Sequence, residues 1–134
     1  MWDDDLVTIL TNAGAGTFGT SLFVGRGADI PSGDGGYTLI IPTGGTGPDW
    51  TQNSAGPAYR KPGAEIIAIA KVDTVARALV ELQYNALVTV RNQFINTTVW
   101  YVSIVPLNEP HDLPLDDMKR VRIAFNVLGD KRPT

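Results

Sequence analysis

His111 is the only histidine in the chain. It stands in Glu109-Pro110-His111-Asp112, a few residues before the pair Asp116-Asp117. Imidazole beside carboxylates can hold a cation, so a site using His111, Asp112, Asp116 and Asp117 is one chemistry these residue types allow; any Ser-His-Asp arrangement would also have to use His111. The same residues read more simply as a surface histidine on a proline-bound loop, followed by a polar turn ahead of the last strand. Gly14-Ala15-Gly16-Thr17-Phe18-Gly19 matches the dinucleotide pattern G-x-G-x-x-G. That motif works where a strand delivers glycines to a helix N-terminus with free amides for pyrophosphate. Here a helix precedes the glycines and a strand follows, so the segment reads as a helix-to-strand connection. In Thr43-Gly44-Gly45-Thr46-Gly47-Pro48 no Gly-Lys-Ser/Thr follows, and Pro48 removes a donor amide, so it reads as a solvent loop. With no cysteine in the chain, disulfides, thiolate metal sites and cysteine nucleophiles are excluded together. These readings leave no catalytic cluster, no cofactor and no metal, and the chain is expected not to be an enzyme.

The elements that position these residues can be read in order. Asp3, Asp4 and Asp5 precede Leu6, Val7, Ile9 and Leu10, placing acids at the positive end of a short helix to about Asn12; each good cap contributes about 1 kcal/mol. Leu22, Phe23 and Val24 form a strand within 20–26, and a second strand over 37–41 is expected to pair with it as a hairpin. From 42 to 62 glycine and proline dominate, which predicts a long loop. Its glycines make ordering costly until a partner offsets the entropy. Ala64, Ile66, Ala68 and Ala70 alternate with Glu65, Ile67, Ile69 and Lys71. Both faces are thus apolar, as in a central strand, and the small alanines predict a helix lying close. Asp73 is expected to cap a helix over 74–91 whose apolar stripe is Val75, Leu79, Leu82, Ala86 and Val90. Asn96-Thr97-Thr98 reads as a turn before a strand over 99–105, in which Trp100, Val102 and Ile104 oppose Val99, Tyr101 and Val105. The strand over 118–128 sets Val121, Ile123, Phe125 and Val127 on one face and Arg120 and Arg122 on the other. The pattern predicts one α+β domain over 1–134: a mixed, mainly antiparallel twisted sheet of about five strands, with two helices on one face.

Composition narrows the class. The chain has 134 residues, 43% hydrophobic and 19% charged, so neutral polar groups and glycine must cover much of its surface, which suits protein contacts. A formal net charge of -3 with no basic run argues against phosphate-driven nucleic-acid binding. No apolar run approaches the ~18 residues of a membrane span, and the acidic start is unlike a signal peptide, so a soluble, unprocessed cytosolic product is expected. Trp50 and Tyr59 fall in the long loop, where they serve either as anchors for a partner or as packing onto their own sheet.

Taken together, several segments resemble the minor capsid and tail-completion (tail terminator) proteins of tailed bacteriophages. The resemblance runs through the capped N-terminal helix, Leu22-Phe23-Val24-Gly25-Arg26, the Thr43-Gly44-Gly45 end of the second strand and Tyr59-Arg60-Lys61-Pro62 before the alternating third strand. It continues through the covering helix to the final strand with Phe125-Asn126-Val127. The alanine-rich third strand and the long aromatic 42–62 segment depart from that pattern. The resemblance implies a virion protein of the tail or neck, assembled in the host cytoplasm. It would form a closed, commonly six-fold ring of identical subunits that caps the tail tube and meets the head connector or stopper, with DNA passing through the lumen and no sequence-specific binding. Trp50, Tyr59, Arg60, Arg120 and Arg122 are the interface residues expected on this reading. Another neck or head-tail adaptor, or a small metal- or ligand-binding domain, are the alternatives.

Overall fold

The computed structural model describes residues 2–33, 35–50, 57–95 and 99–131, without the side chains of 46–50 and 57–60. In chain order the elements are α1 (Trp2–Asn12), β1 (Leu22–Val24), β2 (Tyr37–Trp50), β3 (Pro57–Ala70), α2 (Asp73–Val88), β4 (Arg91–Ile95), β5 (Val99–Pro106), β6 (His111–Leu113) and β7 (Val121–Lys131). The strands form one 7-stranded sheet in the order β1-β2-β3-β7-β5-β4, with β6 also beside β7. The fold is α+β, as expected, with more strands than the sequence pattern predicts: β4 and β6 are additions. All pairings are antiparallel except β1 with β2, which is parallel. The expected β1–β2 hairpin is therefore corrected. The 25–36 connection is long enough to carry the chain back, so Leu22 lies beside Thr38 and Val24 beside Ile40 in the same direction.

Both helices contribute to one apolar cluster on one face of the sheet. Ala64, Ile66, Ala68 and Ala70 of β3 and Ile123, Phe125 and Val127 of β7 lie beneath Leu6 and Leu10 of α1 and Ala76, Val80 and Leu87 of α2. The small β3 side chains allow this close seat, as the alternation predicts. The opposite face carries Ile67, Ile69 and Ala124, packed by Ile30, Tyr37, Leu39, Ile41 and Leu113, with no helix upon it among the described residues.

Four further sequence expectations need correction. The 42–62 segment is not a loop over its described residues: β2 and β3 run through most of it as a hairpin whose register shifts between Thr43/Thr46, Thr46/Asp49 and Asp49/Trp50. Pro42 fits because of where it falls. Thr38 donates to Ser21 and Ile40 accepts from Gly25 on the β1 side. Pro42 shares that orientation but lies past the end of β1, so its missing N–H costs no ladder bond. Gly45 has φ 65, and a Cβ there would fall on the Lys61 carbonyl and the Gly63 amide; the two strands cross closely at that bulge.

The buried face of α2 is Ala76, Val80, Gln83 and Leu87, one position round from the expected stripe, leaving Val75 and Leu82 exposed. Gln83 goes inward because its Nε2 donates to Thr38 Oγ1 at 2.8 Å, and that hydroxyl donates in turn to the Ala15 carbonyl at 2.8 Å. Asp73 is the first helical residue rather than the cap; Val72 precedes it without a side-chain cap bond, and Asp73 instead pairs with Arg77 at 2.8 Å. On β5 a register shift between Tyr101 and Ser103 breaks the expected alternation, so Tyr101 and Ile104 both point under the helices.

Helix α1 is fixed to the sheet at its first turn. Trp2 Nε1 donates to the Gly63 carbonyl at 2.9 Å, and Tyr101 OH donates to Asp5 Oδ2 at 2.6 Å. Burial first, then the Asp5 bond and charge, push the Tyr101 hydroxyl far above its ordinary value, so it remains a proton donor. Asp5 is thus a buried partner rather than only a dipole-facing acid. Gly129 makes room for the indole: a Cβ there would stand 2.6 and 2.8 Å from Trp2 ring carbons. Gly129→Ala is expected to cost roughly 1–3 kcal/mol by overpacking, measured by urea unfolding. The cost should largely vanish in a Trp2→Ala background if the ring is its cause.

Candidate interaction surfaces

The residues that could have built a cation or acid-base site are not brought together. Among the described residues no three of His, Asp and Glu gather closely enough to hold a metal ion. His111, on β6, lines a cleft of about 430 Å³ with Arg77, Glu81, Glu109 and Asp112. Asp112 faces Arg77 at 3.7 Å, which already pairs with Asp73. Asp116 is engaged elsewhere. Its Oδ1 accepts the amides of Met118 at 3.0 Å and Arg120 at 2.8 Å, closing a polar turn before β7, and its Oδ2 accepts Arg120 Nε at 2.7 Å.

Arg120 is the sequence-selected interface residue that the structure relocates. It is 6% exposed, over the Tyr37 ring at 5.6 Å, and its Nη1 donates to the carbonyls of Pro31 at 2.6 Å and Gly33 at 3.2 Å. It clamps the 25–36 connection onto the turn before β7, so its cation is engaged within its own chain. Alternation with Val121, Ile123, Phe125 and Val127 placed it on the outer face of an expected 118–128 strand, but β7 begins only at Val121 and Asp116 four residues earlier, which read as turn chemistry alone, is its partner. Arg122 is on the face away from the helices, donates from Nε to the Pro114 carbonyl at 2.9 Å, and keeps an outward position. Trp50, Tyr59 and Arg60 lie on β2 and β3, but their side chains are outside the described residues. In place of the Gly14 to Gly19 cofactor motif, α1 ends in a Schellman cap: Gly14 with φ 81 donates to Thr11 O and Ala15 donates to Leu10 O.

The outer edges of the sheet carry features that sequence reading did not select. At one edge β1 is flanked by the 17–21 turn, whose crest bears Phe18, 62% exposed. The lone aromatic among glycines was the available signal, obscured by its place in a cofactor-like pattern. At the other edge β4 is exposed except at Ile95, and Phe94 stacks edge-on against Trp100 at 5.0 Å. Between β4 and the C-terminal ends of α1 and α2 lies a cleft of about 360 Å³. No described helix is long and apolar enough to cross a membrane.

This arrangement is similar to that of a chain in the virion of a native gene transfer agent particle. The two are 14% identical with a TM-score of 0.61, over 96% of this chain and 94% of that one, which establishes a shared fold. No family model matches the chain, and no curated protein matches it.

The Arg120–Asp116 pair sets a pH dependence. Burial pushes the Asp116 carboxyl up, but the Arg120 amide, its guanidinium bond and charge, and the Met118 amide outweigh that and hold the group below its ordinary value. A carboxyl depressed on folding stabilises the fold above its unfolded pKa of about 3.9 and loses that contribution as pH falls through the folded value. Thermal melts should show Asp116→Asn less stable at pH 7. The difference from the unsubstituted chain should shrink as pH is lowered from about 4 towards 2.

Proposed function

We propose that this chain is a non-enzymatic structural subunit of a phage-like virion, acting in the tail or neck as a tail-completion subunit. On this reading identical copies close into a ring, six-fold as is common in the family the sequence resembles. The ring caps the tail tube, faces the head connector or stopper, and leaves a lumen for DNA. The observation that carries the reading is the fold shared along 96% of the chain with a component of a gene transfer agent virion. The order of sequence segments that resembles tail-completion proteins supports the same assignment independently.

The physical character of the surface is consistent with it. A ring requires two different, complementary patches on each copy rather than one self-complementary patch. This sheet ends at two different edges, β1 and β4, and large apolar side chains such as Phe18, Phe94 and Leu107 stand exposed. A net charge of -3 suits a wall past which DNA must move without adhering. A neck or head-tail adaptor differs from this reading only in partner.

Negative-stain images and light scattering of the purified protein, alone and with a tail-tube protein from the same source, test the assignment. Closed rings and capped tubes are expected. A monomer that binds neither tail-tube nor connector protein would refute it.

A further inference from the structure

We infer that copies of this chain join head to tail, with Phe18 of one copy seated in the cleft between β4 and the two helix ends of the next. The inference rests on the proposed self-assembly and names the contact that would make it.

The knob is built to stay out. Thr17 O accepts the amides of Thr20, Ser21 and Leu22 at 2.9 to 3.0 Å, Thr17 N donates to Ser21 Oγ at 2.9 Å, and Gly19 N donates to Leu22 O at 3.0 Å. This turn occupies the outer side of β1 at Leu22, so that edge cannot extend the sheet as a strand; it offers a phenyl ring. An aromatic ring buries on the order of 150–250 Å² when enclosed, and Phe18 is left 62% exposed by its own chain.

The hole is lined by the apolar Ile9, Ala13, Ala86, Val90, Phe94 and Ile95, with the polar Thr8, Asn12, Thr89 and Gln93 at its walls. Its volume of about 360 Å³ accommodates a ring with room for edge contact against Phe94. Phe18 and the cleft lie at opposite ends of one sheet order, so they can meet only between copies. A second copy is therefore the occupant, and the contact is heterologous, able to close into a ring.

Charge agrees. The C-terminal ends of α1 and α2 both face the cleft and carry partial negative charge, and neither helix has a basic residue in its last turn. Arg91 Nη1 reaches Val90 O at 3.3 Å at the α2 side. Arg26, exposed just beyond β1 on the knob's edge, adds a cation from the neighbouring copy at the α1 side.

The test uses two single variants at exposed positions, Phe18→Asp, which removes the knob, and Asn12→Trp, which fills the cleft. Each alone is expected to be monomeric by light scattering with an unchanged melting temperature, and an equimolar mixture to form a dimer that grows no further. Arg26→Glu should weaken assembly several-fold, with the defect largest at low salt. If the unsubstituted chain forms rings and Phe18→Asp forms them equally well, the contact is wrong while the assembly reading stands. A mixture that stays monomeric also overturns the head-to-tail contact. An unsubstituted chain that stays monomeric overturns both.

Discussion

The close seat of the helices on β3 governs most of what else is possible in this fold. Ala64, Ala68 and Ala70 are fully buried and present only methyl groups to the helices above. Larger residues there would lift α1 and α2 and separate the polar pairs that depend on short distances. Trp2 reaches the Gly63 carbonyl, Asp5 reaches Tyr101, and Gln83 reaches Thr38 only because each helix lies low over the sheet. Small residues recur where the fit is tightest, with Gly129 beneath the Trp2 ring. The arrangement spends the apolar potential of the sheet on one face. The other face is packed only by Ile30, Leu113 and their neighbours, with the Arg120 clamp holding the 25–36 connection near it.

How much of this was legible in the sequence depended on whether local pattern and tertiary demand agreed. They agreed on β3, where alternating alanine and isoleucine predicted both a central strand and a close helix. They agreed again on β7, whose Val121, Ile123, Phe125 and Val127 face inward as read. They disagreed on α2. Gln83 is polar by type but buried by virtue of one hydrogen bond, and that single inward position turned the true stripe away from the more apolar one beside it. The parallel β1–β2 pair was hidden for another reason: residue types do not encode strand direction, which here follows from the length of the 25–36 connection. Residues 42–50 and 57–62 looked like a loop because glycine and proline oppose strands in general. In this hairpin Gly45 and Gly63 stand where the strands approach too closely for a Cβ, and Pro42 lies past the end of β1 where no donor is called for.

The candidate interaction residues show the same division. Arg120 was chosen for its charge on a predicted outer face, and its partners Pro31 and Gly33 are too distant in sequence for any periodicity to reveal. Phe18 was passed over because it sits inside a glycine pattern whose familiar use is cofactor binding. Once the helix before it and the strand after it are in place, that pattern has no helix N-terminus to offer pyrophosphate. What remains is an aromatic residue held outward by a short turn.

That turn is more than an exposed loop, because its foundations belong to the core. The α1 cap places Ala15 in the apolar cluster beside Leu10, and the Ala15 carbonyl accepts the Thr38 hydroxyl, which is itself held by Gln83 of α2. A side chain at Gly16 would crowd Leu22 Cβ at 3.0 Å and the Ser21 carbonyl at 3.1 Å, so the chain passes there at close quarters. The crest carrying Phe18 is thereby fixed by bonds from both α2 and β2, and little ordering entropy would remain to be lost when the ring is enclosed. The cleft is bounded at its other side by the end of the same α2 helix. One helix therefore holds the knob through Gln83 at its middle and shapes the hole through Ala86 near its end and Val90 just beyond it, fixing the two contact surfaces relative to each other. Closure of a ring demands such fixed geometry, since a small angular error at each contact accumulates around the circle.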